Sequence, residues 1–245
     1  MTKFVIAGLA FAALIVSPAF AADMALKGPA APYTPPSSWT GFYLGINGGA
    51  GWGTSSSSSD LTLAGLPPST PIASQGISGW LGGVTAGYNF QAGVVVFGLE
   101  GEFDWADIEG NTACLVVFNC NVKQDWMGDI AGRLGVAPAS DLLMYVKGGI
   151  AWADTKYNFG NTFAGASITG SASDTRTGAL LGMGVEYAFM PHWSAKIEYD
   201  FIDFGTDTVG MSLATVPAVP GLPASISTQI KDTESLMKAG INYRF

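Results

Sequence analysis

From Trp39 to Phe245 the chain is patterned with a period of two. In the first segment Phe42, Leu44, Ile46, Ala50 and Trp52 share one face, opposite Tyr43, Gly45, Asn47, Gly49 and Gly51. Successive side chains of a strand point to opposite faces, so this alternation predicts a strand whose two faces meet different surroundings. Seven more segments repeat it. Trp80, Val84, Ala86, Tyr88 and Phe90 oppose Thr85, Gly87 and Asn89; Val95, Phe97, Leu99, Phe103 and Trp105 oppose Glu100, Glu102 and Asp104. Trp126, Ile130, Leu134 and Val136 oppose Asp129 and Arg133; Met144, Val146, Ile150 and Trp152 oppose Tyr145 and Lys147. Ala179 to Phe189 sets an apolar row against Gly182, Gly184 and Glu186. Trp193 to Phe201 does so against Lys196, Glu198 and Asp200, and Met237 to Phe245 against Lys238, Asn242 and Arg244.

Eight segments of about 10 residues match the span of a tilted strand in a bilayer. Aromatic residues gather at the two ends of the apolar faces. Trp52, Trp80, Trp105, Trp126 and Trp152 form one row, and Phe90, Tyr187, Phe189, Trp193, Tyr243 and Phe245 form the other. Two aromatic girdles around an aliphatic band are what a membrane barrel needs at its interfaces. The connections alternate between short (91–93, 137–141, 190–192) and long (53–77, 107–122, 158–172, 206–228). A soluble sandwich gives no reason for that alternation. The pattern predicts an all-β, eight-stranded antiparallel transmembrane β-barrel with short periplasmic turns and long external loops.

The N-terminus fits export. A basic start at Lys3, an apolar run over 4–16 and the small-x-small pattern of Ser17-Pro18-Ala19-Phe20-Ala21 predict a signal peptide over 1–21. The run is too short for a spanning helix of about 20 residues. Residues 22–38, rich in Pro and Ala, read as a disordered periplasmic leader, and 39–245 as the barrel. Only 12% of residues are charged while 48% are hydrophobic, far from the roughly 25% charged residues of soluble domains. A net charge of −8 without basic clusters argues against nucleic acid as a partner. The expected location is the bacterial outer membrane.

The sequence also resembles the alphaproteobacterial outer-membrane β-barrel family of outer-membrane immunogenic, or porin-family, surface antigens. The resemblance is carried by Trp39-Thr40-Gly41-Phe42-Tyr43-Leu44-Gly45, Tyr145-Val146-Lys147-Gly148-Gly149 and Gly184-Val185-Glu186-Tyr187-Ala188-Phe189. Trp193-Ser194-Ala195-Lys196-Ile197-Glu198-Tyr199 and Gly240-Ile241-Asn242-Tyr243-Arg244-Phe245 complete it. It implies an abundant envelope protein and surface antigen, with some relatives called haem-binding, and it supplies no shared catalytic motif. It also implies that assembly machinery reads a C-terminal signal, which falls here on Ile241, Tyr243 and Phe245.

The inward charges invite an active-site reading, since paired carboxylates such as Glu100 and Glu102 do acid–base work elsewhere. An eight-stranded barrel, however, has an interior that side chains fill. Glu100, Glu102, Asp104, Asp129, Glu186, Glu198 and Asp200 are therefore expected to pair with Arg133, Lys147, Lys196, Lys238 and Arg244 as a plug. His192, the only histidine, lies in a short turn on the side where a surface-lipid hydrolase does not act. Without a loop histidine, haem is left with Tyr157, Met211 or an apolar loop pocket. Cys114 and Cys120 are spaced for a small disulfide loop, favoured by export; the rival metal pair lacks a third ligand nearby. No catalytic, cofactor or metal residue is expected. The functional expectation is a surface protein contributing to envelope integrity and antigenicity, its lumen plugged by charge. The alternative is a narrow pore or ligand-uptake protein. The expected partners are outer-membrane lipid and lipopolysaccharide, the barrel assembly machinery, and a possible host or haem ligand at the loops.

Overall fold

The computed structural model describes residues 38–59, 70–114, 118–163, 166–216 and 225–245. The signal-peptide reading, and the leader up to residue 37, lie outside the described residues. Eight antiparallel strands run β1 (Gly41–Ser59), β2 (Thr70–Ala92), β3 (Val95–Cys114), β4 (Phe118–Ala139), β5 (Leu142–Phe163), β6 (Ala166–Met190), β7 (Trp193–Val216) and β8 (Ser225–Arg244). Each pairs with its sequence neighbours, and β1 with β8 closes the ring. Closure leaves no strand edge, which in lipid would expose backbone groups at several kcal/mol each. Two-residue turns join the strands at one end, where Gly93 takes a left-handed φ of 64° that favours glycine.

Every charged residue assigned to the lumen is buried, and the apolar rows face outward, with Phe42, Trp80, Leu99, Leu181 and Ile197 well exposed. The strands are 19 to 25 residues long, twice the expected length, because the ladder continues into the segments read as loops. The physical reason is an inversion of faces. Beyond the tryptophan row Ile77, Ile108, Val122, Val209 and Ile230 turn inward, while Ser74, Ser78, Thr208, Gln229 and Lys231 turn outward. The period of two survives with its polarity exchanged, and the Ser-, Gly- and Thr-rich composition hides it. Irregularities of register accompany the change, among them one at Asp125 on β4 and one at Gly205 on β7, where φ is 66°.

The start of β1 and the end of β8 meet at the short-turn side. The Phe245 N–H donates to the Phe42 carbonyl at 3.0 Å, and the Arg244 N–H to the His192 carbonyl at 2.7 Å. Tyr243 packs edge-on against Trp193 and Phe245, each at 5.1 Å between ring centroids. An Asp at position 245 would remove the ring that packs on Tyr243 and anchors this girdle at the headgroup level. Detergent-solubilised protein is expected to migrate differently on a gel before and after boiling. Phe245→Asp should lower the membrane-assembled fraction and leave protease-sensitive material; assembly at normal abundance would show the terminal ring to be ordinary lipid-facing surface.

Candidate functional site

The interior is built in layers. At the short-turn end Trp39 is buried among Val96, Ala137, Leu143 and Tyr145. Its backbone N–H donates to Gln91 Oε1 at 2.8 Å, and the Arg244 guanidinium lies 4.4 Å from its ring centroid. Trp39 thus reaches into the short-turn end from the segment just before β1. Trp39 shares the inward parity of Tyr43 and Gly45, but the alternation does not show which neighbours its ring meets at the mouth. Arg244 belongs to this end and not to the central charge network: it donates to the Pro191 carbonyl at 3.3 Å, and no carboxylate pairs with it among the described residues.

Above Trp39 lies the charged layer. Arg133 (β4) donates to Glu100 Oε2 at 3.2 Å and to Glu186 Oε2 at 3.0 Å, and its guanidinium lies 3.7 Å from the Tyr145 ring centroid. Lys147 (β5) reaches Glu198 at 2.7 Å, Asp200 at 3.3 Å, Glu102 at 3.4 Å, Glu100 at 3.6 Å and Asp129 at 3.9 Å. Lys238 (β8) sits 2.9 Å from Asp200, 3.1 Å from Glu102 and 3.7 Å from Asp104. Lys196 (β7) lies 3.6 Å from Glu100 and from Glu102. Carboxylates outnumber cations, so each ammonium is shared. Hydroxyls and amides complete the layer: Tyr43 donates to Glu100 at 2.8 Å, Tyr145 to Glu198 at 2.6 Å, Asn242 to Glu186 at 2.8 Å, and Asn47 to Glu102.

The glycines of the inward faces make room for this packing. A Cβ on Gly87 would lie 2.4 Å from Tyr43 Cζ, and one on Gly184 2.5 Å from Tyr145 Cζ. Glu100, Glu102 and Glu198 converge within 4.8 Å, a separation suited to a cation, but the ammonium groups of Lys147 and Lys196 already serve them.

Over the charges sits an apolar layer that includes Leu81, Met127, Leu180, Ile202 and Leu236. A second polar cluster follows, which the sequence reading missed because its residues fall between the assigned strand segments and the assigned loops. Arg176 (β6) donates to Asp232 at 3.0 Å and to the Tyr157 hydroxyl at 3.2 Å, while Tyr157 donates to Asp232 at 2.7 Å. Gln124 donates to Glu234 beside it. Tyr157 and Met211, the candidate haem ligands, are both buried within the barrel, and the Tyr157 hydroxyl is engaged as described. His192 stays in its turn, its Nδ1 2.9 Å from the Arg244 carbonyl and its ring stacked on Tyr243. Cys120 is disulfide-bonded; the Cys114 side chain lies outside the described residues.

Truncating one member of a buried ion pair leaves its partner uncompensated, at about 3–5 kcal/mol. Arg133→Ala should therefore lower barrel stability by about that amount, read as denaturant-induced unfolding in detergent. Arg133→Lys should recover only part of it, since one ammonium cannot bridge Glu100 and Glu186 as the guanidinium does. Wild-type stability of Arg133→Ala would show the pairs to be dispensable.

Comparison with known proteins agrees with this architecture. The Outer membrane protein beta-barrel domain family matches residues 7–245. The 31 kDa outer-membrane immunogenic protein of Brucella melitensis is 34% identical over 203 residues, covering 79% of this chain and 84% of its own. The 25 kDa outer-membrane immunogenic protein of Brucella abortus is 27% identical over 93% of this chain and 91% of its own. The 22 kDa outer membrane protein of Rhizobium leguminosarum bv. viciae is 28% identical over 71% of this chain and 68% of its own. Among solved structures, the outer membrane protein OprG from Pseudomonas aeruginosa aligns at a TM-score of 0.47 and 11% identity over 84% of this chain and 97% of its own. The chain belongs to the outer-membrane β-barrel family that includes these alphaproteobacterial immunogenic proteins, and its place is the bacterial outer membrane.

Proposed function

We propose that this barrel is a closed structural and surface protein, contributing to envelope integrity and surface antigenicity rather than catalysing a reaction or conducting solutes. The observation that carries the reading is the filled interior: the Trp39 stopper, the ion-paired layer around Lys147 and the apolar layer around Leu180 and Ile202 follow one another along the axis. Eight strands enclose a space that side chains fill, whereas aqueous channels take about 16–18 strands. An ion entering this lumen would have to displace paired charges and then cross an apolar layer without water. Strands extending beyond the tryptophan girdle then serve as a rigid stalk for the connections they carry. Such connections are what antibodies and other surface partners meet.

We also propose that Cys120 pairs with Cys114, the only other cysteine, across the β3–β4 hairpin tip, where Thr112 faces Cys120 and Cys114 faces Phe118 in the ladder. The bond would clamp the tip of that hairpin. Peptides digested without reduction should emerge joined at these residues in mass spectrometry, and complete alkylation of both thiols without reductant would contradict the pairing.

In planar bilayers the refolded wild-type protein is expected to show no steady large conductance. Trp39→Ala alone should leave it closed, because two further layers remain. Robust open channels in wild type would favour the narrow-pore or uptake reading instead.

A further inference from the structure

The outward face above the girdle differs around the barrel. On β3 to β5 it carries Asp107, Glu109, Lys123, Asp125, Asp154 and Lys156. Lys123 lies 2.8 Å from Asp107 and 2.7 Å from Glu109, and Lys156 pairs with Asp125. The hydrogen bonds that Lys123 donates to these carboxylates hold its ammonium pKa above its ordinary value. That sector satisfies itself. From β7 through β8 and β1 to β2 the outward rows above the girdle are mostly hydroxyls and amides, with Lys231 on β8 and Asp203 and Asp207 on β7 exposed among them.

One row crosses four strands in direct register: Thr206 faces Lys231, Lys231 faces Ser56, and Ser56 faces Ser74. The next rung sets Ser58 beside Gln229. These six residues line an outward groove of about 560 Å³, edged by Pro71 and Ile72. The Ser56 and Ser74 hydroxyls lie 3.2 Å apart. Lys231 is exposed, and no carboxylate pairs with it among the described residues. The nearby Asp203 accepts from the Gly205 N–H, and Asp207 lies 3.4 Å from Arg176.

We propose that this groove holds the anionic saccharide headgroup of an outer-leaflet glycolipid. Height supports that occupant. β1 runs from Trp52 to Ser59 and β2 from Trp80 back to Thr70. At about 3.3 Å per residue and the usual strand tilt, the wall rises roughly 18–25 Å above the tryptophans. An ordinary headgroup layer is only about 5–7 Å deep. Most of the groove therefore stands above any phospholipid headgroup, at the level a saccharide chain occupies. The surface is also continuous with the lipid-facing wall: at its foot Trp52 lies 6.4 Å from the Tyr199 ring, whose hydroxyl meets Ser235 at 3.0 Å. Chemistry supports it as well. Rows of hydroxyls and an amide exchange hydrogen bonds with sugar hydroxyls, the Ile72 edge suits the apolar face of a pyranose, and Lys231 is the free cation for a phosphate or carboxylate on the sugar. This inference rests on the outer-membrane location and is independent of whether the lumen is closed.

The test reads the thermal unfolding midpoint of the full chain in vesicles. One set is zwitterionic phospholipid alone, and a second adds glycolipid bearing a phosphorylated oligosaccharide. A third adds the same glycolipid after phosphate removal, and a fourth adds an anionic phospholipid without sugar. The phosphorylated glycolipid should raise the midpoint by several degrees, the dephosphorylated one by less, and the anionic phospholipid by less again. Lys231→Gln and the Ser56→Val, Ser74→Val double variant should each lose at least half of the wild-type rise, while Lys156→Gln keeps it. All these positions are exposed or half-exposed on the outer wall, and circular dichroism checks that each variant folds. No rise in wild type, an equal rise in the groove variants, or an equal rise with anionic phospholipid overturns the proposal.

Discussion

A charged side chain inside a narrow β-barrel has little water to retreat to. Eight strands close around a space that side chains fill, so the alternation that sends aliphatic residues to lipid also sends Glu100, Glu102, Glu198, Arg133, Lys147 and Lys238 into one another's company. Such a layer is stable only when each member finds a partner, and removing one leaves the others exposed to the full cost of desolvation. The rest of the interior serves that constraint. Tyr43 and Tyr145 lend hydroxyls to Glu100 and Glu198, and inward glycines on the neighbouring strands leave room for their rings. In the closed barrel proposed above, Trp39 below and the apolar layer above would limit the water that could compete for the pairs.

The same wall works in two solvents. Within the girdles the outside is aliphatic and the inside charged; above the tryptophans the outside becomes Ser, Thr, Gln and Lys while Ile77, Ile108, Val122 and Ile230 fill the inside. The upper half therefore packs like a soluble barrel, with its own apolar core, and the lower half like a membrane barrel. Arg176 stands near the junction, binding Asp232, the Tyr157 hydroxyl and the Ile230 carbonyl at 3.2 Å, which ties β6 to β5 and β8 beside the irregularity at Gly205 on β7.

The strand count, the ring order, the girdles and the inward charges of the lower half were legible in the sequence because lipid imposes a sharp contrast between faces. Phe42, Leu44 and Ile46 against Tyr43, Gly45 and Asn47 can be read without coordinates. The upper half was not legible, since its exterior residues are small and polar and resemble loop composition. With them the cluster of Arg176, Asp232, Gln124 and Glu234 was hidden; the weak signal was the alternation of Thr228, Ile230, Asp232 and Glu234 with Gln229, Lys231 and Thr233, its polarity mixed on the inward face. Arg244 points inward as its parity with Asn242 and Lys238 requires, but its expected carboxylate partner is not there. At a barrel mouth, periodicity sets the face a side chain takes and not the neighbours it meets.

A closed barrel requires a dry lumen. Ala151 lies on the inward face of β5 in the apolar layer, next to the outward-facing Trp152, and is buried. Ala151→Cys adds little volume, and Cys120 is already disulfide-bonded. The direct measurement is the rate at which a small, charged, membrane-impermeant thiol reagent labels Ala151→Cys in vesicles, applied to each side in turn and compared with Ser74→Cys on the outer wall. Labelling at least a hundredfold slower than Ser74→Cys from both sides is the result expected of a filled barrel. Labelling at a comparable rate from either side would mean that water runs through the layers, and the closed-barrel account would fail.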